Sequence, residues 1–329
     1  MAEYLVSDAE LTEIADDLRD KFGGSAPLAF PEDYRAIIQA LPNMAYTIDV
    51  DVTNGTATGD AYISWGATAV ITIVADNDCI LPKNIVVEGA SYTYDTMTGV
   101  IVLSNPTGAV AITVVCDVLP VKGDIISLDG VTGTFLVLNI NDTVAEVLSR
   151  QNYSTNSWPS SSGQIYVGSN PDTRCNSDFY NAQSATFRAA IVDKTFRQDR
   201  WYRSTTGSPV YKGQYNTSTN YTVSLGSATF GEEITRHCYS LSVQDILDYL
   251  EVTTSMDYAD STLKRDNVRA MYNATSGGSW LRSAYVGNTS QAMTANLAQG
   301  SIATGANSSS YYIRPAFQID LSKIGFSIS

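Results

Sequence analysis

The chain has 329 residues, 44% of them hydrophobic, and carries 20 basic against 34 acidic residues for a formal charge of −14. That length holds two or three domains with real cores. The acidic balance excludes the basic footprint of a nucleic-acid binder. The charge is uneven: residues 1–42 carry −6, residues 43–117 carry −7 with Lys83 as their one base, and residues 118–329 carry −1. Three segments are therefore expected, 1–42, 43–117 and 118–329.

The chain opens MAEYLVSDAELTEIADDLRD, with acids where a secretory signal wants bases and an apolar run. The apolar runs elsewhere are strand-length and fall short of the ~20 residues of a membrane span, so no membrane insertion is expected. Ser7-Asp8-Ala9-Glu10 is a capping box, followed by a helical stripe of Leu11, Ile14, Ala15 and Leu18 that Gly23-Gly24 ends. Pro31 suits the first position of a second helix, with Ile37 and Leu41 on its apolar face. Two short helices bury little alone, so Leu11, Ile14, Leu18, Ile37 and Leu41 are expected against other subunits or a larger particle, most simply in a homo-oligomer such as a trimer.

From residue 43 the period changes. AYTIDVDV, AVITIVA, NIVVEG, SYTYD, GVIVLS and AVAITVVCDV are β-branched runs separated by Asn-Gly, Gly, Asp and Pro turns. They predict a small antiparallel sandwich, and the block resembles an immunoglobulin-like module acting as a spacer. The four cysteines, Cys79, Cys116, Cys175 and Cys238, lack CxxC spacing and read as buried thiols, with a Cys79–Cys116 bridge as the alternative.

Residues 118–329 read as an α+β unit. ISLDG, TFLVLNI and TVAEVLS are three strands. Ser184–Asp193 is a short helix with Phe187, Ala190 and Ile191 inward. Ser242-Val-Gln-Asp245 is a second capping box ahead of Val243, Ile246, Leu247 and Leu250. Long polar loops fill the rest, and loops of that length usually carry function.

The candidate chemistry is thin. His237 is the one histidine and adjoins Cys238, but neighbours on a strand point to opposite faces, so a structural histidine is expected rather than a catalytic pair. No G-x-S-x-G, H-E-x-x-H or phosphate-loop string occurs. Glu232-Glu233 suggests one solvated and one ion-paired carboxylate rather than a glycosidase acid. No calcium-loop string occurs, and eight N-x-[ST] triplets follow from Ser, Thr and Asn richness. The expectation is a protein without enzymatic activity, metal or cofactor.

Near the end of the chain, SWLRSA (Ser279–Ala284) and YYIRPAFQIDL (Tyr311–Leu321) bracket about 26 mostly small and amide residues. With ISLDGVTGTFLVLNINDTVAEVLSRQNYS and SATFRAAIVDKTF, these brackets resemble the C-type-lectin-like domain of phage and gut-bacterial surface proteins. The likeness is to target-binding proteins of tailed phages, some of them diversified by retroelements, and it spans 118–329. It implies that Trp280, Leu281, Arg282, Arg314, Pro315 and Phe317 are framework. Trp280 and Phe317 would be core anchors, and both arginines would be held by carboxylates or carbonyls near the rim. It implies binding through the intervening loops, with Tyr272, Tyr285, Asn288, Gln291, Asn296 and Tyr311 as contacts. Tyr with Ser, Gly and Asn suits such a surface, as in antibody loops. Adenine mutagenesis scatters Asn codons into the residue types that fill Tyr272–Tyr312, which fits diversification. The Glu-Pro-Asn, Gln-Pro-Asp and Trp-Asn-Asp strings of calcium-dependent sugar binders do not occur.

The expectation is therefore a phage virion protein of a tail or capsid fibre, assembled in the host cytoplasm. Its N-terminus would hold other phage structural proteins, and its C-terminal domain a host cell-surface protein or glycan. The alternatives are a bacterial surface adhesin of the same fold and a purely structural capsid or tail decoration.

Overall fold

The computed structural model describes Asp16 and residues 45–158, 165–203, 210–212, 233–251, 262–285 and 290–329. The Ser7 capping box, the two N-terminal apolar faces, Glu232 and Asn288 lie outside the described residues. The protein is multidomain and mostly β, with two compact units, Met1–Val118 and Leu119–Ser329.

In the first unit β1 (Ala45–Thr53) and β2 (Gly55–Gly59) are one extended run broken at Asn54, whose φ of 60° moves the chain from one sheet to another. A left-handed residue is unusual outside glycine, and Asn tolerates it best. Its side-chain amide is held by donating to the Cys116 carbonyl at 3.1 Å. There follow β3 (Tyr62–Ser64), β4 (Thr68–Ala75), β5 (Cys79–Ile80), β6 (Val86–Glu88), β7 (Ser91–Tyr94), β8 (Val100–Ser104), β9 (Val110–Val115) and β10 (Asp117–Val118). The sheets run β3-β1-β9-β6 and β2-β4-β8-β7, with β5 and β10 paired apart.

Alternation sets which side faces in. On β4, Ala69, Ile71 and Ile73 are buried while Val70 and Val74 are exposed; on β9, Val110, Ile112 and Val114 are buried. They meet Ile101 and Leu103 in an apolar core. One expectation is corrected: the sandwich is not wholly antiparallel. β1 and β9 run parallel, from Ile48 beside Val110 to Thr53 beside Val115. A parallel pair needs a long crossover, and the whole chain between the two strands supplies it. All four cysteines are free thiols, so no Cys79–Cys116 bridge is formed. Burial pushes the Cys79 and Cys116 thiols up, and nearby acidic groups add to the effect.

The second unit opens with β11 (Ile125–Leu128), β12 (Phe135–Asn141) and β13 (Val144–Ser149), joined antiparallel. Next come β14 (Ser154–Ser157), helix α1 (Asn170–Thr173) running into a π-helix (Arg174–Phe179), and α2 (Ala185–Ala190). Ser184 caps α2, with Phe187 and Ala190 buried, but the helix stops before the expected Asp193. Ile191 instead begins β15 (Ile191–Val192), a strand on the edge of the sheet, which suits a β-branched pair.

β16 (Lys194–Arg197), β17 (Arg200–Arg203), β18 (Val210–Lys212), β19 (Glu233–Arg236) and β20 (Cys238–Tyr239) lead to α3 (Val243–Tyr249) and α4 (Thr262–Tyr272). The Ser242–Asp245 capping box forms as the sequence implies, each side chain bonding the other's backbone amide. β21 (Gly278–Tyr285), β22 (Gln291–Asn296), β23 (Ser301–Ala306), β24 (Ser310–Ile313), β25 (Ala316–Asp320) and β26 (Phe326–Ile328) complete the unit.

Two sheets result. One runs β15-β25-β13-β12-β11-β26, with β20 also on β25; the other runs β14-β24-β21-β17-β18, with β22 on β21 and β23 on β22. The strand that opens the unit therefore lies beside the strand that closes it, Ile126 opposite Ile328.

The stretch between the brackets is not a set of loops. β22 and β23 are paired strands, and Ala292, Met293, Ala295 and Ile302 are buried. Small side chains are what this packing needs. A Cβ on Gly278 or Gly305 would come within 2.6 Å of the Tyr311 ring, so both glycines leave the room that ring fills.

Candidate functional site

The WLRS bracket is the inner strand of the second sheet. Trp280 is buried on β21, donates its indole N–H to the Asn156 carbonyl at 2.8 Å, and meets Trp158 and Tyr311 edge-on with ring centroids 5.3 and 4.7 Å away. Leu281 is fully buried beside it.

Arg282, 4% exposed, lies in the interior rather than at a rim. Its guanidinium donates to the Ser240 carbonyl at 2.9 Å and to the Asp245 carboxylate, and it lies 4.2 Å over the Phe196 ring. Asp245 is held in return by α3, where its Oδ2 accepts the Ser242 amide at 2.7 Å. Burial alone would raise this carboxyl, but the charges of Arg282 and Lys194 outweigh it and hold Asp245 at about 2. Desolvation opposes the charge on Arg282 too, and Asp245 more than compensates, so its pKa is raised.

Lys194 extends the cluster. Its ammonium is 2.5 Å from Glu146 Oε1 and 3.6 Å from Asp245, and it lies 5.1 Å from the centre of the Tyr239 ring. The buried Tyr239 hydroxyl donates to the same Glu146 oxygen at 2.8 Å; burial first, then that carboxylate, pushes the phenol well up. A pocket of about 290 Å³ opens on this cluster, lined by Leu138, Asn139, Glu146, Lys194, Asp245 and Tyr249, with Lys122 and Asp248. A second pair joins a half-buried arginine to a buried carboxylate: Arg236 takes both oxygens of Asp172, at 2.7 and 2.9 Å.

The RPAF bracket is held differently. Arg314, 5% exposed, donates to the carbonyls of Arg150 and Tyr272, and its guanidinium lies 5.8 Å from the centres of the Tyr272 and Tyr312 rings. Desolvation lowers its pKa. Pro315 is buried, and Phe317 packs edge-on against Phe135 and Phe187. All six framework residues are therefore interior, with the two arginines deep in the unit and not near its rim.

Of the expected contact residues that are described, Tyr272, Tyr285, Gln291, Asn296 and Tyr311, none is fully exposed and they form no single open patch. Tyr272 is corrected outright. It ends α4 fully buried, because its ring lies near the Arg314 guanidinium and its carbonyl accepts from it. Tyr311 is half-buried and packs on Trp280. Asn296 is half-buried at the turn between β22 and β23, bonding Gln299. Tyr285 and Gln291 lie at the facing ends of β21 and β22, both half-buried. Trp201 pairs with Tyr285 in the parallel β17–β21 ladder, so both strands reach their C-terminal ends on the same side of the sheet.

The other candidates are spent on structure. His237 presents Nδ1 to Asp193 and stacks on Tyr180 at 4.1 Å, while Cys238 is buried behind it with its thiol pushed well up by burial. Glu233 pairs with Arg197 at 3.2 Å on the surface. The Glu146–Lys194–Asp245 cluster was missed by sequence reasoning. Its members lie far apart in the chain, and only Asp245, as a capping residue, carried a local signal.

No curated protein and no solved structure matches this chain. The family described as a domain of unknown function, DUF6273, matches residues 137–321, more than half of the chain. That span runs from β12 to the end of β25 and takes in both brackets, the Arg282–Asp245, Arg236–Asp172 and Lys194–Glu146 pairs and every lining residue of the pocket but Lys122; the chain belongs to the DUF6273 family.

Proposed function

We propose that this chain is a virion protein of a tailed phage, in a tail or capsid fibre, that attaches to a host-surface protein or glycan through its second unit. In this reading the second unit is a C-type-lectin-like module and the first an immunoglobulin-like spacer. The observation that carries it is the end of the second sheet where β17 and β21 both finish, with Tyr285 and Gln291 half-buried at that end of the β21–β22 pair. A rigid, buried framework of Trp280, Arg282 and Arg314 lies in the same strands or next to them.

Three further features support the reading. The paired first and last strands, β11 and β26, suit a lectin-like unit that closes on itself. The two-sheet sandwich, the switch at Asn54 and the parallel β1–β9 pair suit an immunoglobulin-like spacer. The buried charges favour binding over catalysis, because Arg282 with Asp245, Arg236 with Asp172 and Lys194 with Glu146 satisfy one another. Diversification in this reading is confined to strand ends, since Ala292, Met293 and Ala295 fill the interior.

The test is adsorption. Full-length protein should bind host cells and compete with the phage, and Tyr285→Ala with Gln291→Ala should weaken that binding while the melting temperature is kept. Undiminished binding by the double variant would remove this end of the sheet from the reading. Absence of binding to any host surface would remove attachment itself.

A further inference from the structure

The two outer faces of the first unit both expose valines, Val86 and Val115 on one and Val70 and Val74 on the other, but differ in charge. On the β3-β1-β9-β6 sheet, Asp49, Asp51 and Glu88 point outward, and the register places Asp49 and Glu88 on either side of Ala111. On the β2-β4-β8-β7 sheet every outward residue is Val, Thr or Ser. Val70 stands opposite Val102, Thr72 opposite Val100, and Thr56 opposite Val74. Val70 and Val74 are 44% and 55% exposed, high for β-branched aliphatic side chains on a regular strand. Acids occur only where these strands stop: Asp60 after β2, Asp76 after β4 and Asp95 after β7.

A flat, uncharged Val/Thr face on a segment of net charge −7 limits what can cover it. A second copy approaching through the acidic sheet meets like charge, which opposes the contact. Approaching through the neutral sheet, it meets the same Val/Thr surface, with the acids kept to the rim. Such a contact is self-complementary, as a two-fold interface requires. Strands ~4.8 Å apart and residues rising ~3.3 Å give the face roughly 400 Å² of flat area per copy, so a pair covers about 800 Å², below the ~1,000 Å² of a stable interface and in the range of weak, transient contacts.

We propose that two copies of this chain pair face to face through the outer surface of the β2-β4-β8-β7 sheet. The pairing is reversible and of modest strength. It is opposed by the net negative charge of both partners, so salt strengthens it by screening that repulsion.

Sedimentation or light scattering of the full chain across a concentration series tests this. The expected result is mass action between one assembly and another of twice its mass, shifted toward the larger as salt rises from about 0.05 to 0.5 M. Val70→Glu with Val102→Glu puts like charges side by side on the face and should weaken the association by at least about tenfold. Val74→Glu alone, on an exposed position, should act in the same direction if the double variant folds poorly. Thr113→Glu, on the acidic sheet, should leave the mass unchanged. A wild-type mass that does not change with concentration overturns the proposal. So does an association that salt weakens, or one that survives both face variants; in the last case another surface, residues 1–42 included, makes the contact.

Discussion

In the first unit the buried cluster that runs in sequence from Ile63 to Cys116 is wholly apolar; in the second, Asp172 is buried, and Arg282 and Arg314 are buried beside aromatic rings. Among the described residues, every buried polar or charged side chain lies at Ser149 or beyond. Both units are β-rich, so the difference is not one of secondary structure. The first is held by alternation, where each strand sends one face inward and hydrophobic burial contributes roughly 25 cal/mol per Å². The second is held as much by specific bonds. Arg282 joins β21 to α3 through Asp245, and Lys194 joins β16 to β13 through Glu146. A polar interior is weak evidence of added stability, but its loss is expensive, because a buried charge without its partner has nowhere to go.

The strongest way to break this comparison is to remove one side of the central pair. Arg282→Ala should destabilise the second unit by about 3–5 kcal/mol, since it leaves Asp245 short of a partner and the Ser240 carbonyl without its donor. Arg282→Met with Asp245→Leu should cost much less than the two single losses added, since no charge is then stranded. Denaturant melts of the three variants decide it. Additive losses would show that Arg282 and Asp245 do not act as a unit, and the contrast between the two interiors would lose its main support.

Acid should separate the units by a smaller amount. The folded Asp245 carboxyl sits at about 2, below its ordinary value of 3.8. A depressed carboxylate contributes stability above its unfolded pKa and loses it as pH falls through the folded value. The second unit should therefore lose about 2 kcal/mol between about pH 4 and pH 2. Asp117 in the first unit is shifted the other way, pushed up by burial, so protonating it favours the folded form as pH falls. Residue-resolved hydrogen exchange at pH 5 and pH 2.5 should show protection falling in β21 and β25 before β4 and β8. Asp245→Asn should flatten the acid dependence of the second unit. Equal loss in both units would contradict the assignment.

The first unit was the more legible because period-two alternation is a local signal. Ala69, Ile71 and Ile73 announce their strand within seven residues; in the second unit the capping box at Ser242–Asp245 is a comparably local signal, for helix α3. What could not be read there was the parallel β1–β9 pair, because nothing local states the partner of a strand. The second unit was misread where its residues are small. Between the brackets, Ala, Ser, Thr and Gly look like loop composition, yet they pack as β22 and β23 because Tyr311 and Trp280 fill the space that small side chains leave. Residue type alone makes Tyr272 look like a contact, whereas it is buried and bonded through its carbonyl to Arg314, 42 positions away. The brackets themselves stood out against the small residues between them, but the burial of their arginines, expected near the rim, had no local signal.

The smallest effect sharpens the comparison by keeping the charge and changing only its surroundings. Arg197 and Glu233 face each other on the β16–β19 ladder at 3.2 Å, with side chains 64% and 66% exposed. Three residues earlier on β16, Lys194 makes a pair with Glu146 in which the side chains are only 19% and 14% exposed. Both are ion pairs in one unit, and β16 contributes a cation to each. The exposed pair keeps much of its water, is screened by salt, and costs side-chain entropy to hold, so such pairs contribute ~0–1 kcal/mol. Arg197→Gln should therefore change stability by less than about 0.5 kcal/mol and lose even that in high salt. Lys194→Gln should cost clearly more, because Glu146 and the Tyr239 hydroxyl that bonds it remain in a half-closed site. The measurement is a pair of denaturant melts at low and high ionic strength. If the two variants lost the same stability, the count of ion pairs rather than their burial would be what holds the second unit, and its interior would differ from the first only in composition.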